Sequence, residues 1–339
     1  MAAARNGDFA AAWTISDTVL AARDPDGRDD PRLPYHQRWV WDGRPYAGRR
    51  VLVRCYHGFG DAIQFARFLP LLRPRVRSLV LEVQPELLPL LAGVPGADRL
   101  IPFRLDAPQP PAECDMELME LPHALRLSAE DLSPAVPYLA PPPARVVAAR
   151  ARIGGDGFRV GLCWHSGDWD PARSVPLALL APLLAIPGLR LVSLQRGNAA
   201  AEATAPHAPG FVNPHDRSLD VLETAALIAA LDLVVTVDTM VAHLAGALGR
   251  PTWLLLKANA DWRWMEGRAD SPWYPSMRLF RQAVGGDWRD PLRRMAADLE
   301  KLAASAQVVT PAAWRPAALG HRPPDLRVRG APLPKDRSR

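Results

Sequence analysis

Leu231-Asp232-Leu233-Val234-Val235-Thr236-Val237-Asp238-Thr239-Met240-Val241-Ala242-His243-Leu244-Ala245-Gly246-Ala247-Leu248-Gly249-Arg250-Pro251-Thr252-Trp253-Leu254-Leu255-Leu256 reads as strand, sharp turn, short helix, strand. Leu233 to Val237 is an unbroken aliphatic and β-branched run, the pattern of a strand covered on both faces. Asp238 and Thr239 are good N-cap residues for the helix that follows. Gly249 suits the left-handed position that ends a helix, and Pro251 blocks its continuation. Thr252 to Leu256 is then a second buried strand. The helix starts at the carboxyl end of a parallel strand, so its free N–H groups and positive dipole end face the crevice. Such a seat suits a diphosphate. An ordinary βαβ unit with a capped helix has the same pattern, so the stretch speaks to the fold before it speaks to chemistry.

The same grammar recurs in the front half. Arg50 to Cys55 is a strand, Tyr56-His57-Gly58-Phe59-Gly60-Asp61 a glycine-bearing turn, and Ala62 to Leu72 has helical apolar spacing. Gly58 and Gly60 allow close backbone approach by a ligand. No G-x-G-x-x-G fingerprint or P-loop lysine is present, which argues against a dinucleotide or ATP site. Asp61 stands at the helix start, either as a cap or as a base reaching into a cleft. His57 and His165 border the same cleft and serve either as polar wall residues or in proton transfer.

A length of 339 residues suggests two domains, and 48% hydrophobic content is ample for two cores. No apolar run is long enough for a membrane span, and Asp8, Asp17 and Arg23 interrupt any signal-like pattern, so a cytoplasmic location is expected. Cys55, Cys114 and Cys163 read as buried free thiols rather than disulfides or a metal site. Much of the +5 net charge lies in Arg315 to Arg339; with no interleaved aromatics beyond Trp314, that tail reads as solvated and disordered, not as a nucleic-acid site.

Residues 6 to 23 read as one amphipathic helix packing on the next domain. Short strands are expected at 79–83, 99–102 and 116–119, with a helix at 86–91. The Pro-rich stretch 127–143 reads as an interdomain linker. The second sheet begins with Phe158 to Trp164 and continues with Leu189 to Leu194, with Leu177 to Leu184 as the helix between them. Ser218 to Leu231 is a helix capped by Ser218 or Asp220, Asn259 to Gln282 an irregular Trp-rich loop, and Trp288 to Ala303 a final amphipathic helix. The expected layout is residues 1–36 as a helix and loop, 37–140 as an acceptor domain, 141–306 as a nucleotide-sugar domain and 307–339 as a tail.

Two motifs taken together carry a resemblance. Gly58-Phe59-Gly60-Asp61-Ala62-Ile63-Gln64-Phe65-Ala66-Arg67 resembles the N-terminal motif of the ADP-heptose:lipopolysaccharide heptosyltransferases, and Asp238-Thr239-Met240-Val241-Ala242-His243-Leu244-Ala245-Gly246-Ala247 resembles their C-terminal one. Residues 37 to 303 look closer still to the glycosyltransferase family 9-like domain that follows tetratricopeptide repeats in bacterial proteins, through Ser193 to Gly197, Asp261 to Trp264 and Ser271 to Pro275. The resemblance implies an α/β protein of GT-B fold: two Rossmann-like domains with parallel sheets facing a central cleft. It also implies an inverting, metal-independent transfer from a nucleotide-sugar donor to a glycan or protein hydroxyl, with no cofactor.

By the same resemblance Asp61 is the general base, with His57, Gly58, Gly60, Gln64 and His165 around the cleft. Asp238, Thr239, Met240 and His243 hold the donor diphosphate, Arg173 neutralises the leaving group, and Gln195 lines the nucleotide pocket. Such chemistry needs a carboxylate on the acceptor side and cationic or N–H donors where charge grows on the leaving oxygen. Met240 departs from the family's usual glycine, and Asp168-x-Asp170 mimics a metal-binding motif of other glycosyltransferases without being assigned a metal. Peripheral contact with the inner membrane face stays open. The other readings are a catalytically silent GT-B module that binds a partner through its Trp-rich loop and, less well supported, a sugar-nucleotide epimerase.

Overall fold

The computed structural model describes residues 2–133, 136–167, 169–204, 211–214, 220–283 and 286–308. The basic tail from 309, Ser218 and Asp168 fall outside them.

Helix α1 (Phe9–Ala21) is capped by Asp8, whose carboxylate accepts the Ala11 N–H at 2.9 Å. The first sheet is all parallel and ordered β3-β2-β1-β4, from β1 (Arg50–Arg54), β2 (Ser78–Val83), β3 (Arg99–Pro102) and β4 (Cys114–Glu117). Helix α2 (Phe59–Phe65) follows β1 directly. Helix α3 (Pro143–Ile153) begins with proline, whose fixed φ suits a first helical residue, and stops at Gly154 in the left-handed region at φ +54°. The second sheet is also parallel, ordered β6-β5-β7-β8-β9, from β5 (Phe158–Cys163), β6 (Leu189–Ser193), β7 (Leu233–Val237), β8 (Thr252–Leu256) and β9 (Met277–Arg281). Helix α4 (Val221–Ala229), capped by Asp220, leads into β7, and α5 (Met240–Ala247) connects β7 to β8. Helix α6 (Arg289–Val308) packs on the second sheet.

The β7–α5–β8 unit forms as its sequence predicts. Every residue of β7 is buried, Thr239 caps α5, and Gly249 takes φ +65°. Two expectations need correction. The segment expected to be one irregular loop from 259 to 282 contains β9, which extends the second sheet at its edge. The segment 62–72 is not one helix: α2 gives way to a 3-10 turn and then to a four-residue helix, Leu69–Leu72, with Pro70 near its start. The Pro-rich linker runs between the two sheets and is pinned to the core by Leu132 and Leu139, with the Tyr138 N–H bonded to Ala247 O at the end of α5.

The largest departure is the core. One continuous apolar cluster runs from β1 and α2, through α5, to Trp264, Trp273 and Tyr274. A second cluster covers only the outer face of the second sheet, under α6. The two sheets are therefore joined by shared packing rather than separated by an open gap along their whole length. Helix α1 adds to the join: the Trp13 indole donates to Leu127 O at 2.7 Å, while the Phe9 ring lies 6.5 Å from that of Trp262.

Candidate active site

In each sheet the strand order reverses at one place, and ligands in open α/β sheets bind beyond the carboxyl ends of the strands flanking that place. In the first sheet it lies between β1 and β4, in the second between β5 and β7. The turn from Tyr56 to Asp61 leaves β1, and Glu117 ends β4. His165 follows β5, and Asp238 and Thr239 follow β7. The sequence-predicted residues thus gather at both switch points.

At the front switch point Asp61, in the first turn of α2, reaches back to the backbone of Gly58. One carboxylate oxygen accepts the Gly58 N–H at 3.0 Å, and the other is bonded to the Arg263 guanidinium, which comes from the second half of the chain. The Asp61 side chain is 24% exposed and that of Arg263 10%. Arg263 also meets Asp261 at 3.0 Å; burial opposes its charge, but Asp61 and Asp261 more than offset that and raise its pKa. Beside this pair, His57 Nδ1 lies 3.1 Å from Glu117, which also accepts the Met119 N–H at 2.6 Å. Burial disfavours the His57 cation, yet the bonded Glu117 carboxylate prevails and its pKa lies above the ordinary histidine value. Gln84 donates to His57 O at 2.6 Å and lines an open groove of about 560 Å³ with Phe59, Glu86, Phe103 and Leu105.

At the back switch point Thr239 Oγ1 caps α5 by accepting the Val241 N–H at 3.2 Å, and the Ala242 N–H goes to Thr239 O. The Met240 N–H has no partner among the described residues. Arg173 donates to Asp238 O at 3.0 Å, and Lys257, just past β8, holds Asp170 at 2.5 Å. The Asp238 carboxyl is buried, and this desolvation raises its pKa against the pull of the Trp264 indole and Arg173. Arg173 therefore stands beside the turn into α5, and Lys257 shares Asp170 with it.

Several predicted site residues are positioned differently from the expectation. His243 does not reach toward a phosphate: it is buried, its Nδ1 lies 3.0 Å from Tyr274 Oη, and its ring stacks on Trp264 at 5.4 Å. Burial, and secondarily Arg263, Arg67 and Arg173, hold its pKa well below the usual histidine value, so the ring is neutral. Gln195 does not line a pocket. Its Oε1 accepts the N–H groups of Trp164 (3.1 Å) and His165 (2.9 Å), and its Nε2 donates to His165 O and Arg196 O, which pins the loop after β5. Gln64 lies in the core with both amide atoms unpartnered, not in the cleft. Gly60 is there for a helix rather than a ligand: a Cβ on it would lie 2.8 Å from His243 Cδ2 and 3.5 Å from Met240 Cα. Met240 packs its side chain against the shared core.

Sequence reasoning did not assign roles to Glu117, Lys257, Arg263 or Arg67. Glu117 and Lys257 carried a usable signal, since both stand at the carboxyl ends of parallel strands. Arg67 is buried with no carboxylate partner among the described residues; it donates to Gln64 O, Leu132 O, Trp273 O and Tyr138 Oη and lies 4.3 Å from the Tyr274 ring centroid. It links the front helix, the linker and the Trp-rich loop. No cluster of three potential metal ligands occurs among the described residues, and Asp170 is engaged by Lys257 and Arg173. All three cysteines are free and buried, with desolvation raising Cys114 to about 12 and Cys163 to about 11. No described helix is long and apolar enough to cross a membrane.

Two doubly wound parallel sheets with their switch points brought together define a GT-B architecture. Residues 206–265 match the profile of glycosyltransferase family 9 (heptosyltransferase). The structure superposes on that of Escherichia coli ADP-heptose lps heptosyltransferase II with a TM-score of 0.56 at 16% identity, covering 76% of this chain and 99% of that one. It superposes on the glycosyl transferase family 9 protein of Veillonella parvula DSM 2008 with a TM-score of 0.55 at 13% identity, covering 78% and 98%. At such identities the likeness is one of fold. Protein FlbA of Caulobacter vibrioides is 32% identical over 291 residues, 78% of this chain but 48% of that protein, so the chain spans about half the length of this curated relative. The fold is the GT-B fold of the heptosyltransferases, and the stretch that crosses β7 and α5 carries the match to glycosyltransferase family 9.

Proposed function

We propose that this protein transfers a sugar from a nucleotide-sugar donor to a hydroxyl of a glycan or protein, by a single inverting displacement that needs no metal. The observation that carries the reading is the contact between Asp61, at the front switch point, and Arg263, beside the cations Arg173 and Lys257 at the back one. Inverting transfer asks for this division: a proton acceptor on one side, and cationic and N–H groups where the diphosphate leaves. The Met240 N–H, Arg173 and Lys257 receive the diphosphate, and the Tyr56–Asp61 turn receives the acceptor, with Asp61 as the residue named by the family resemblance. ADP-heptose, for which the Escherichia coli heptosyltransferase II is named, is the first donor to try.

Thermal denaturation with ADP-, UDP-, GDP- and CMP-sugars tests this, because a ligand of the native state raises the midpoint by mass action. One nucleotide class is expected to shift it. Asp61→Asn should keep the shift and lose transfer by roughly 10²–10⁴-fold. A second reading, a silent GT-B module that binds a partner, is favoured by one observation: both Asp61 oxygens are already engaged. If no nucleotide shifts the midpoint, that reading replaces the first.

A further inference from the structure

Asp170 opens the 3-10 turn Pro171–Arg173, a position where a carboxylate ordinarily caps the following N–H groups. Here it caps none. Its side-chain partners among the described residues are two cations, Lys257 Nζ at 2.5 Å and Arg173 Nε at 3.8 Å. Other atoms hold the loop. Ser166 Oγ donates to Asp170 O at 3.0 Å, the Arg173 N–H donates to the same oxygen at 3.1 Å, and Ser174 Oγ accepts the Ser166 N–H at 2.9 Å. The Asp170 carboxylate can therefore leave its partners without unmaking the loop. Both cations belong to the back switch point: Lys257 follows β8, and Arg173 donates to Asp238 O in the turn into α5. One carboxylate thus bridges the two side chains that the transferase reading gives to the diphosphate. The Asp170 and Lys257 side chains are 27% and 26% exposed, and ion pairs this open to water are weak. A diphosphate brings more charge and more acceptor oxygens, and α5 offers it the Met240 N–H, which has no partner among the described residues.

We propose that Asp170 holds the seat of the diphosphate: it neutralises Lys257 and Arg173 until the diphosphate arrives, yields both cations to it, and takes them back as the product leaves. This rests on the transferase reading above and names the residue that sets affinity within that site. The exchange swaps one anion for another on the same two cations, and no covalent bond changes. The same loop touches the front half, where the exposed Trp169 ring meets His36 edge-on at 5.3 Å. Displacement of Asp170 therefore loosens a segment that reaches across to the acceptor side.

The sign of one effect separates this role from a structural one: removing a competitor tightens binding, whereas removing a support weakens it. Isothermal titration of the full chain with inorganic pyrophosphate and with ADP, UDP and GDP reads it. Asp170→Asn removes the charge at nearly constant size, so pyrophosphate and the nucleoside diphosphate that binds should both be held roughly threefold to tenfold more tightly than by the parent. Asp170→Ala should do the same, and Asp170→Glu, which restores the charge, should fall back toward the parent. Lys257→Met removes one of the two cations and should weaken binding. In that background the gain from Asp170→Asn should shrink, because both changes act through one contact. Binding by Asp170→Asn and Asp170→Ala that is no tighter than the parent's overturns the proposal and leaves the transferase reading standing. No binding of pyrophosphate or of any of the three nucleotides, by parent or variants, overturns both.

Discussion

Replacing Gly60 by alanine puts a methyl carbon 2.8 Å from His243 Cδ2, where carbon atoms rest at about 3.5–4.0 Å. One side must give by roughly an ångström. His243 has no room to do so, because its ring stacks on buried Trp264 and its Nδ1 is bonded to Tyr274. The backbone offers little relief, since the same methyl would meet Met240 Cα at 3.5 Å. Overpacking of this kind costs about 1–3 kcal/mol, and the better helix propensity of alanine returns less than ~1 kcal/mol in a first turn. A net loss of roughly 1–2 kcal/mol lowers the thermal midpoint by about 2–8 °C in a chain of this order of size. Thermal denaturation of the single variants and of Gly60→Ala with His243→Ala makes the test specific. Truncating the ring removes the collision, so the alanine at 60 should cost little in that background and the two changes should be non-additive by about the overpacking term. If Gly60→Ala is as stable as the parent, or costs the same with and without the ring, then α2 and α5 are not in contact in solution.

Arg67→Met strips the donors from the carbonyls of Gln64, Leu132 and Trp273 and should destabilise by roughly 1–3 kcal/mol in urea; no loss of stability refutes its place as the link between the halves. Gly246→Ala would set a methyl 2.3–2.7 Å from the buried Tyr274 ring, so its midpoint should fall further than that of Gly60→Ala. Burial lifts Glu120 to about 7, from 4.5. The folded chain therefore keeps a proton that the unfolded chain releases between those values, and stability falls as pH rises through them. The span corresponds to roughly 3 kcal/mol. Glu120→Gln mimics the protonated acid, so its stability relative to the parent should improve from pH 5 to pH 8, and a pH-independent difference would dismiss the shift.

What the sequence made legible follows range of interaction. The β7–α5–β8 unit declares itself locally: an aliphatic run, Thr239 to cap, Gly249 at φ +65° and Pro251 to stop the helix. β9 does not, because it is a short edge strand, Met277-Arg278-Leu279-Phe280-Arg281, with Arg278 in solvent and a Pro- and Trp-rich approach before it. Polar residues misled for a different reason. Gln64 and His243 have the composition of a cleft wall, yet the second half of the chain presses on α2 and buries both. The Asp61–Arg263 pair joins residues 202 apart, which no spacing rule can connect. The switch points were legible because topology alone selects strand ends; which polar residues there stay open to a ligand depends on how the halves meet.

That meeting is a backbone-scale contact. Gly60 and Ala62 on α2 face a helix whose own interior positions are Ala242, Ala245 and Gly246, and side chains this small let two helices approach until Tyr274, His243 and Trp264 fill what is left. A close-packed seam has no soft intermediate, so prising it apart would expose those aromatics together with the buried Arg67. Motion that admits substrate is therefore cheapest beyond the seam, where the exposed chemistry lies: His57 with Glu117 and the groove on one side, Arg173 with Lys257 on the other, and the Asp61–Arg263 pair between them. The loop of Arg263 also supplies the shared core, through Trp264. On the proposed transferase reading, an anion bound near Arg263 would act on the seam and on Asp61 at once, which would couple donor and acceptor sides through a single guanidinium.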